Sequence, residues 1–158
     1  MLRNSLIISL ICMLIDQIIK IVVMASMTVN STILLIPGFF SLTYVENDGA
    51  AWSIFSGNTW FLILISVIAV ILVYLYCFKN KDIKKFEIIC YSILIGGIFG
   101  NLMDRIKFGK VIDYLDFVIF NYDFPVFNFA DICIVISVIL LIIYSFKDGI
   151  ENAKNNSK

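Results

Sequence analysis

The chain has 158 residues, of which 61% are hydrophobic and only 15% charged, with twelve basic and twelve acidic residues and no histidine. A soluble domain carries about 45–50% apolar and about 25% charged residues, so this composition is that of one membrane-embedded unit without the basic excess that holds nucleic acid. The missing histidine excludes His-based triads and most zinc sites. The four cysteines, Cys12, Cys77, Cys90 and Cys133, lie in apolar runs without CxxC spacing and read as small buried hydrophobes rather than disulfides or metal ligands.

Arg3 and the apolar run behind it have the opening of a signal peptide. Asp16 and Lys20 interrupt that run, however, the pattern resumes to Met27, and no small-x-small cleavage site follows. Residues 5–26 are therefore expected to be a retained first span. Asp16 and Lys20 stand four apart with the acid first, so they share a helix face in the favourable order. Two roles fit them equally: an ion pair that neutralises itself inside a bundle, or a pair that braces an active site.

Residues 28–58 hold Pro37, Gly38, Gly49 and Gly57 and are too broken to cross a bilayer. Short runs such as Phe39–Val45 suit strands, and the segment is expected to form a small β-rich platform at the membrane surface. Within it, Asn47-Asp48-Gly49-Ala50-Ala51 is a turn of small residues where another backbone can approach closely. Residues 59–78 are uncharged and long enough to cross the ~30 Å hydrocarbon layer. A charged hairpin, residues 79–85, leads into a third span at about 86–105, whose Gly96, Gly97 and Gly100 let helices pack closely in lipid. Residues 107–128 form a second surface segment, residues 129–146 the fourth span, and residues 147–158 a polar tail expected to lack structure.

Four spans place both termini on one side. That side carries Arg3, Lys79, Lys81, Lys84, Lys85, Lys147, Lys154 and Lys158, against Lys20, Arg105, Lys107 and Lys110 on the other. The bias makes the termini cytoplasmic. Acids run the other way: Asp82, Glu87, Asp148 and Glu151 fall inside, and the remaining eight outside. The unusual polar residues therefore gather at the outer leaflet.

Two of those acids, Asp113 and Asp131, sit near the ends of the stretch Val111–Asp131. An ionisable group at membrane depth is functional by default. Asp131 also reads as a capping acid three residues after Asn128, and Asp113 as a solvated surface acid. Asp116 and Asp123 lie nearer loop positions and read as solvated. If the fold joins Asp113 to Asp131, the two carboxylates share one proton. The ionised one can then deprotonate water, and the protonated one can polarise a carbonyl and protonate the leaving amine. Such hydrolysis needs no metal, histidine or nucleophilic side chain, so no cofactor is expected.

The motifs resemble those of bacterial lipoprotein signal peptidases (signal peptidase II) over nearly the whole chain. Asp16-Gln17-Ile18-Ile19-Lys20 resembles the family's DQxxK, and Asn47-Asp48-Gly49-Ala50-Ala51-Trp52-Ser53 its NxGAAFS-like box. Gly97–Arg105 resembles GxxGNxxDR, Val111-Ile112-Asp113-Tyr114 resembles VxDF, and Phe124–Asp131 resembles FPxFNxAD. Tyr114 and Trp52 stand where phenylalanine is usual or frequent, and Glu46 where a basic residue is often seen.

The resemblance implies a four-span α-helical bundle with an extracytoplasmic β-rich cradle. It implies an aspartyl endopeptidase of the bacterial cytoplasmic membrane, with Asp113 and Asp131 as its dyad, that cuts diacylglyceryl-modified prolipoproteins just before the lipidated cysteine. Asn47, Gly49, Asn101, Arg105, Asn128 and Ala130 are then expected to hold substrate or orient the aspartates, while Asp16, Lys20 and Asp104 brace the site. A monomer in contact with membrane lipid and open to globomycin-type cyclic peptide inhibitors is implied as well. Two other classes fit the residues less well. A proton-coupled carrier would show internal repeats and broken helices at the midplane, and a structural scaffold leaves the polar boxes unexplained.

Overall fold

The computed structural model describes residues 2–50, 54–80 and 82–156. Ala51, Trp52 and Ser53 of the second motif lie outside the described residues, as do Lys81 of the charged hairpin, Ser157 and Lys158, and the side chains of residues 2–3, 78 and 151–156. Four helices, α1 (Leu2–Ser26), α2 (Thr59–Lys79), α3 (Lys85–Phe108) and α4 (Phe129–Asn156), are each long and apolar enough to cross a membrane. The last departs from the sequence expectation, because α4 continues ten residues past Phe146 where a structureless tail was expected. Elongating an existing helix avoids the cost of nucleation. The Lys147–Asn156 stretch carries no proline, and polarity takes a helix out of the hydrocarbon without unwinding it.

The bundle is built around α3, which packs against α1, α2 and α4; 44% of its span is buried, against 6% for α2. Glycine makes this possible. A Cβ on Gly96 would lie 2.7 Å from both Cys12 Cβ and the Ser9 carbonyl of α1. One on Gly97 would lie 2.5 Å from the Ala130 carbonyl of α4, and one on Gly100 2.5 Å from the Asp16 carboxylate. The Ser9 hydroxyl donates to the Ser92 carbonyl at 2.7 Å and ties α1 to α3 again. Outward-facing Leu6, Leu10, Ile18, Leu64, Leu72 and Ile143 are exposed, whereas Asp16, Lys20, Asn101, Asp104 and Asn128 are buried. That inversion suits a bundle whose solvent is lipid, where polar groups must be satisfied internally.

At one end sits a four-stranded antiparallel sheet in the order β1-β2-β3-β4, formed by Thr32–Ile36, Phe40–Asn47, Val111–Ile119 and Tyr122–Asp123. Helix α3 feeds it directly. Gly109 closes the helix in the left-handed region (φ 72), and β3 begins two residues later. The Thr59 hydroxyl donates to the Gly109 carbonyl at 2.7 Å, anchoring the start of α2 at the same corner. The register pairs Val45 with Asp113 and Asn47 with Val111, past an irregularity between Leu42 and Val45. Val23, Tyr44, Ile112 and Tyr114 form a small core between α1 and the sheet. The sheet thus delivers Asp113 to the mouth of α4, whose first turn carries Asp131.

Candidate active site

Asn128 links the two acids. Its side chain accepts from the Asp131 backbone N–H at 3.0 Å, while the Asp131 carboxylate accepts from the Asn128 backbone N–H at 3.1 Å. This reciprocal cap satisfies two donors that a helix start leaves unpaired. The Asn128 amide also donates to Asp113 Oδ1 at 2.6 Å and to Asn101 Oδ1 at 3.0 Å. Asn101 in turn donates to Asp131 Oδ1 at 2.7 Å. From β2, Asn47 donates to Asp113 Oδ2 at 2.8 Å. Asp131 is therefore both capping acid and cluster member, and Asp113 is buried rather than solvated.

Behind this layer lies a second one, fully buried. Lys20 Nζ stands 2.9 Å from Asp16 and 2.7 Å from Asp104, and donates to Asn101 Oδ1 at 2.9 Å. Each carboxylate then grips the backbone just ahead of one of the two site aspartates. The Ala130 N–H donates to Asp16 Oδ1 at 3.0 Å, and the Ile112 N–H to Asp104 Oδ2 at 3.2 Å. One lysine thereby couples two anchors, one on the segment bearing Asp131 and one on that bearing Asp113.

The rim comes from the Asn47–Gly49 turn and the end of α3. The Gly49 N–H donates to Asn47 Oδ1 at 2.9 Å, and Arg105 Nη2 donates to the Gly49 carbonyl at 3.1 Å. Asp48 points elsewhere, accepting from the Ser56 hydroxyl at 2.6 Å and the Gly57 N–H at 3.2 Å, which hold its carboxyl below the usual range.

Four acids, Asp16, Asp104, Asp113 and Asp131, thus share the site with two cations, Lys20 and Arg105. Burial above all, and then the neighbouring Asp131 carboxylate, pushes Asp113 up to about 7; the amides of Asn47 and Asn128 pull the other way. One proton resting on Asp113 near neutrality reduces the excess of negative charge. Among the described residues no three His, Cys, Asp or Glu side chains converge as a metal-holding set.

A family model for signal peptidase (SPase) II matches residues 8–147. The chain belongs to the signal peptidase II family. The lipoprotein signal peptidase of Staphylococcus haemolyticus (strain JCSC1435) is 37% identical over 145 residues, covering 92% of each chain. That of Staphylococcus aureus (strain JH9) is 38% identical, covering 92% of this chain and 89% of its own. Two solved bacterial membrane enzymes, obtained by the in meso method, superpose with TM-scores of 0.86 and 0.82 at 36% identity. Each covers 92% of this chain, and 89% and 94% of its own. Family membership makes the chain a peptidase, and with the four helices it makes it a multi-pass bacterial membrane protein.

Every site residue expected from the signal peptidase II resemblance lies in this constellation: Asp16, Lys20, Asn47, Gly49, Asn101, Asp104, Arg105, Asp113, Asn128, Ala130 and Asp131. Asp116 and Asp123 stay outside it; Asp116 accepts from the Thr43 hydroxyl across the sheet. Three contributors were missed. Gln17 donates to Asp104 Oδ1 at 2.8 Å and to the Gly100 carbonyl at 3.2 Å; its signal was a polar residue inside an apolar helix. Gly100 makes room for Asp16. The Tyr114 hydroxyl accepts from the Phe129 N–H at 3.1 Å, so the departure from phenylalanine at this position gives α4 an additional cap. Glu46 pairs with Lys110 at 2.7 Å, an exposed bridge away from the aspartates.

Proposed function

We propose that this chain is an aspartyl endopeptidase that removes the signal peptide from diacylglyceryl-modified prolipoproteins, cutting just before the lipidated cysteine. The observation that carries this reading is Asn128, whose side chain donates to the Asp113 carboxylate while its backbone N–H donates to the Asp131 carboxylate. One residue thus ties two carboxyls from different elements, one of them favoured to hold a proton near neutrality. Asp131, at the positive end of α4, is the ionised partner and takes a proton from water as the water attacks the scissile carbonyl. Asp113, protonated, gives its proton to the carbonyl oxygen to form a gem-diol. As the C–N bond breaks, Asp131 passes the proton taken from water to the leaving amine, and the gem-diol hydroxyl returns its proton to Asp113, restoring the starting state. Asn101 and Asn128 hold the two carboxyls in register, and Arg105 and Asn47 hold the Gly49 turn against them.

The reading extends to setting. The site faces the outer leaflet with both termini cytoplasmic, the protein acts as a monomer, and globomycin-type cyclic peptides compete for the same site. The decisive experiment incubates purified protein with a synthetic precursor carrying diacylglycerol on its cysteine. Wild type should release the signal peptide. Asp113→Asn and Asp131→Asn should each lose several powers of ten in rate while remaining folded, and the double variant should be little worse than either, because the two groups act as one unit. Asp116→Asn and Asp123→Asn should keep most activity. Folded Asp131→Asn protein that still cuts at a near-normal rate would end this mechanism.

A further inference from the structure

The most unusual backbone in the sheet is at the tip of the β3–β4 hairpin. Ile119 pairs with Tyr122, leaving Phe120 and Asn121 as a two-residue loop with φ of 51° and 61°. Positive φ at both central positions is the type I′ pattern, which favours Asn and Gly. Asn121 obeys this preference and Phe120 does not. Phe120 is moreover 101% exposed. A bulky side chain in the left-handed region is an outlier, and such outliers persist at sites with a purpose. In water this one would carry backbone strain and a bare aromatic ring with no packing in return.

Its surroundings give it a use. The β1–β2 turn lies at the same end of the sheet: Phe39 stacks edge-on against Phe117 at 5.5 Å, and the Val118 N–H donates to the Phe39 carbonyl at 2.9 Å. Ile36, Phe39, Ile119 and Phe120 are all exposed there, contributed by both hairpins. Phe120 lies seven residues beyond Asp113, six of them in β3, roughly 23 Å along an extended chain. The sheet's other end is joined to α3 through Gly109 and Lys110, so the sheet starts at the edge of the lipid-facing bundle.

We propose that the sheet lies along the leaflet rather than projecting from it, and that the Phe120 tip, with Phe39 beside it, inserts into the lipid interface as a second anchor. The occupant is membrane lipid, since the sheet starts at the edge of the lipid-facing bundle, the exposed residues at its far end, Ile36, Phe39, Ile119 and Phe120, are all apolar, and aromatic rings favour the headgroup boundary. The anchor would hold β3, and with it Asp113, at a fixed height above the hydrocarbon.

The test needs no catalysis, so it stands apart from the peptidase reading. Trp52→Phe/Trp60→Phe protein carrying Phe120→Trp is reconstituted into phosphatidylglycerol vesicles with brominated acyl chains. Ile143→Trp in α4 serves as the lipid reference and Lys110→Trp as the aqueous one. Fluorescence at position 120 should be quenched by bromine nearly as strongly as at position 143, and iodide should quench it several-fold less than at position 110. Iodide quenching without bromine quenching would overturn the proposal, and quenching by neither would replace lipid with a protein contact. A second variant separates anchor from turn. Phe120→Asn suits the left-handed loop better than phenylalanine, so the hairpin should keep its shape. Bromine quenching of a Phe39→Trp reporter should nevertheless fall at least twofold when Phe120→Asn is added; unchanged quenching would remove Phe120 as the anchor.

Discussion

Lys20 is the residue on which most depends and which touches neither site aspartate in the hydrogen-bond pattern. It neutralises two buried carboxylates, and each of those holds a backbone N–H next to a site aspartate. Breaking a buried pair by removing one partner costs about 3–5 kcal/mol. Asp16→Ala and Lys20→Ala should therefore each lower folded yield and thermal midpoint in detergent, and the double variant should be less harmful than the sum by about 0.5–3 kcal/mol. Strictly additive losses would show that the pair does not interact. The proton on Asp113 gives a second test. Its native value is raised to about 7, so between the ordinary carboxylate range and about 7 the folded state binds this proton more tightly than the unfolded one. The stability from this group is full on the acid side and drains as pH rises through that window. Wild type should lose thermal stability from pH 4 to pH 7 relative to Asp113→Asn. The kcat/KM for cleavage should also fall above about pH 7, as the free enzyme loses its protonated carboxyl. An alkaline limb that stays flat to pH 9 would contradict the shared proton.

At the scale of elements, Gly97 and Gly100 set how near α4 and α1 come to α3. Alanine is the better helix former by about 1 kcal/mol, so on an isolated helix Gly100→Ala would stabilise. Here its methyl would press on the Asp16 carboxylate and the Ala130 side chain, and overpacking typically costs about 1–3 kcal/mol. Gly100→Ala should lower the thermal midpoint and the cleavage rate together, and a gain in both would refute the close contact. The sequence made these glycines legible as packing residues but not what they pack on, because a helical glycine does not name its neighbour. The four helices were legible for a stronger reason: long apolar runs have few other folds. Strand β3 was read only as a surface segment, since Val111–Ile119 lacks clean alternation and spaces Asp113 and Asp116 three apart. The full extent of α4 was missed because polarity after Phe146 marks the membrane edge rather than the helix end. The site residues emerged from motifs rather than from periodicity; Gln17 and the Tyr114 hydroxyl escaped because their partners lie far along the chain.

For the whole molecule, the arrangement gathers one kind of chemistry at one end. The C-termini of α1 and α3, the N-termini of α2 and α4, and the whole sheet meet there, with the buried polar cluster beneath them. The other end holds the α2–α3 connection and most of the lysines. On the proposed function the lipidated substrate presents its scissile bond near a membrane edge, so such a polarised bundle needs a definite orientation. On the proposed topology the loop cations would supply it, by biasing the lysine-rich end to the cytoplasm. A reporter active only in the cytoplasm, inserted in the 79–85 connection, should be on. The same reporter in the Phe120–Asn121 turn should be off, and one active only outside should show the reverse. Because the two sites are joined through a single spanning helix, α3, opposite signals follow from the fold whichever way it inserts. The cation bias alone decides which is cytoplasmic, so matching signals would sink the four-span arrangement, and exchanged signals would sink only its orientation. Replacing Lys79, Lys84 and Lys85 by glutamine should weaken the bias and yield a mixed population, read as partial signal from both reporters at each position.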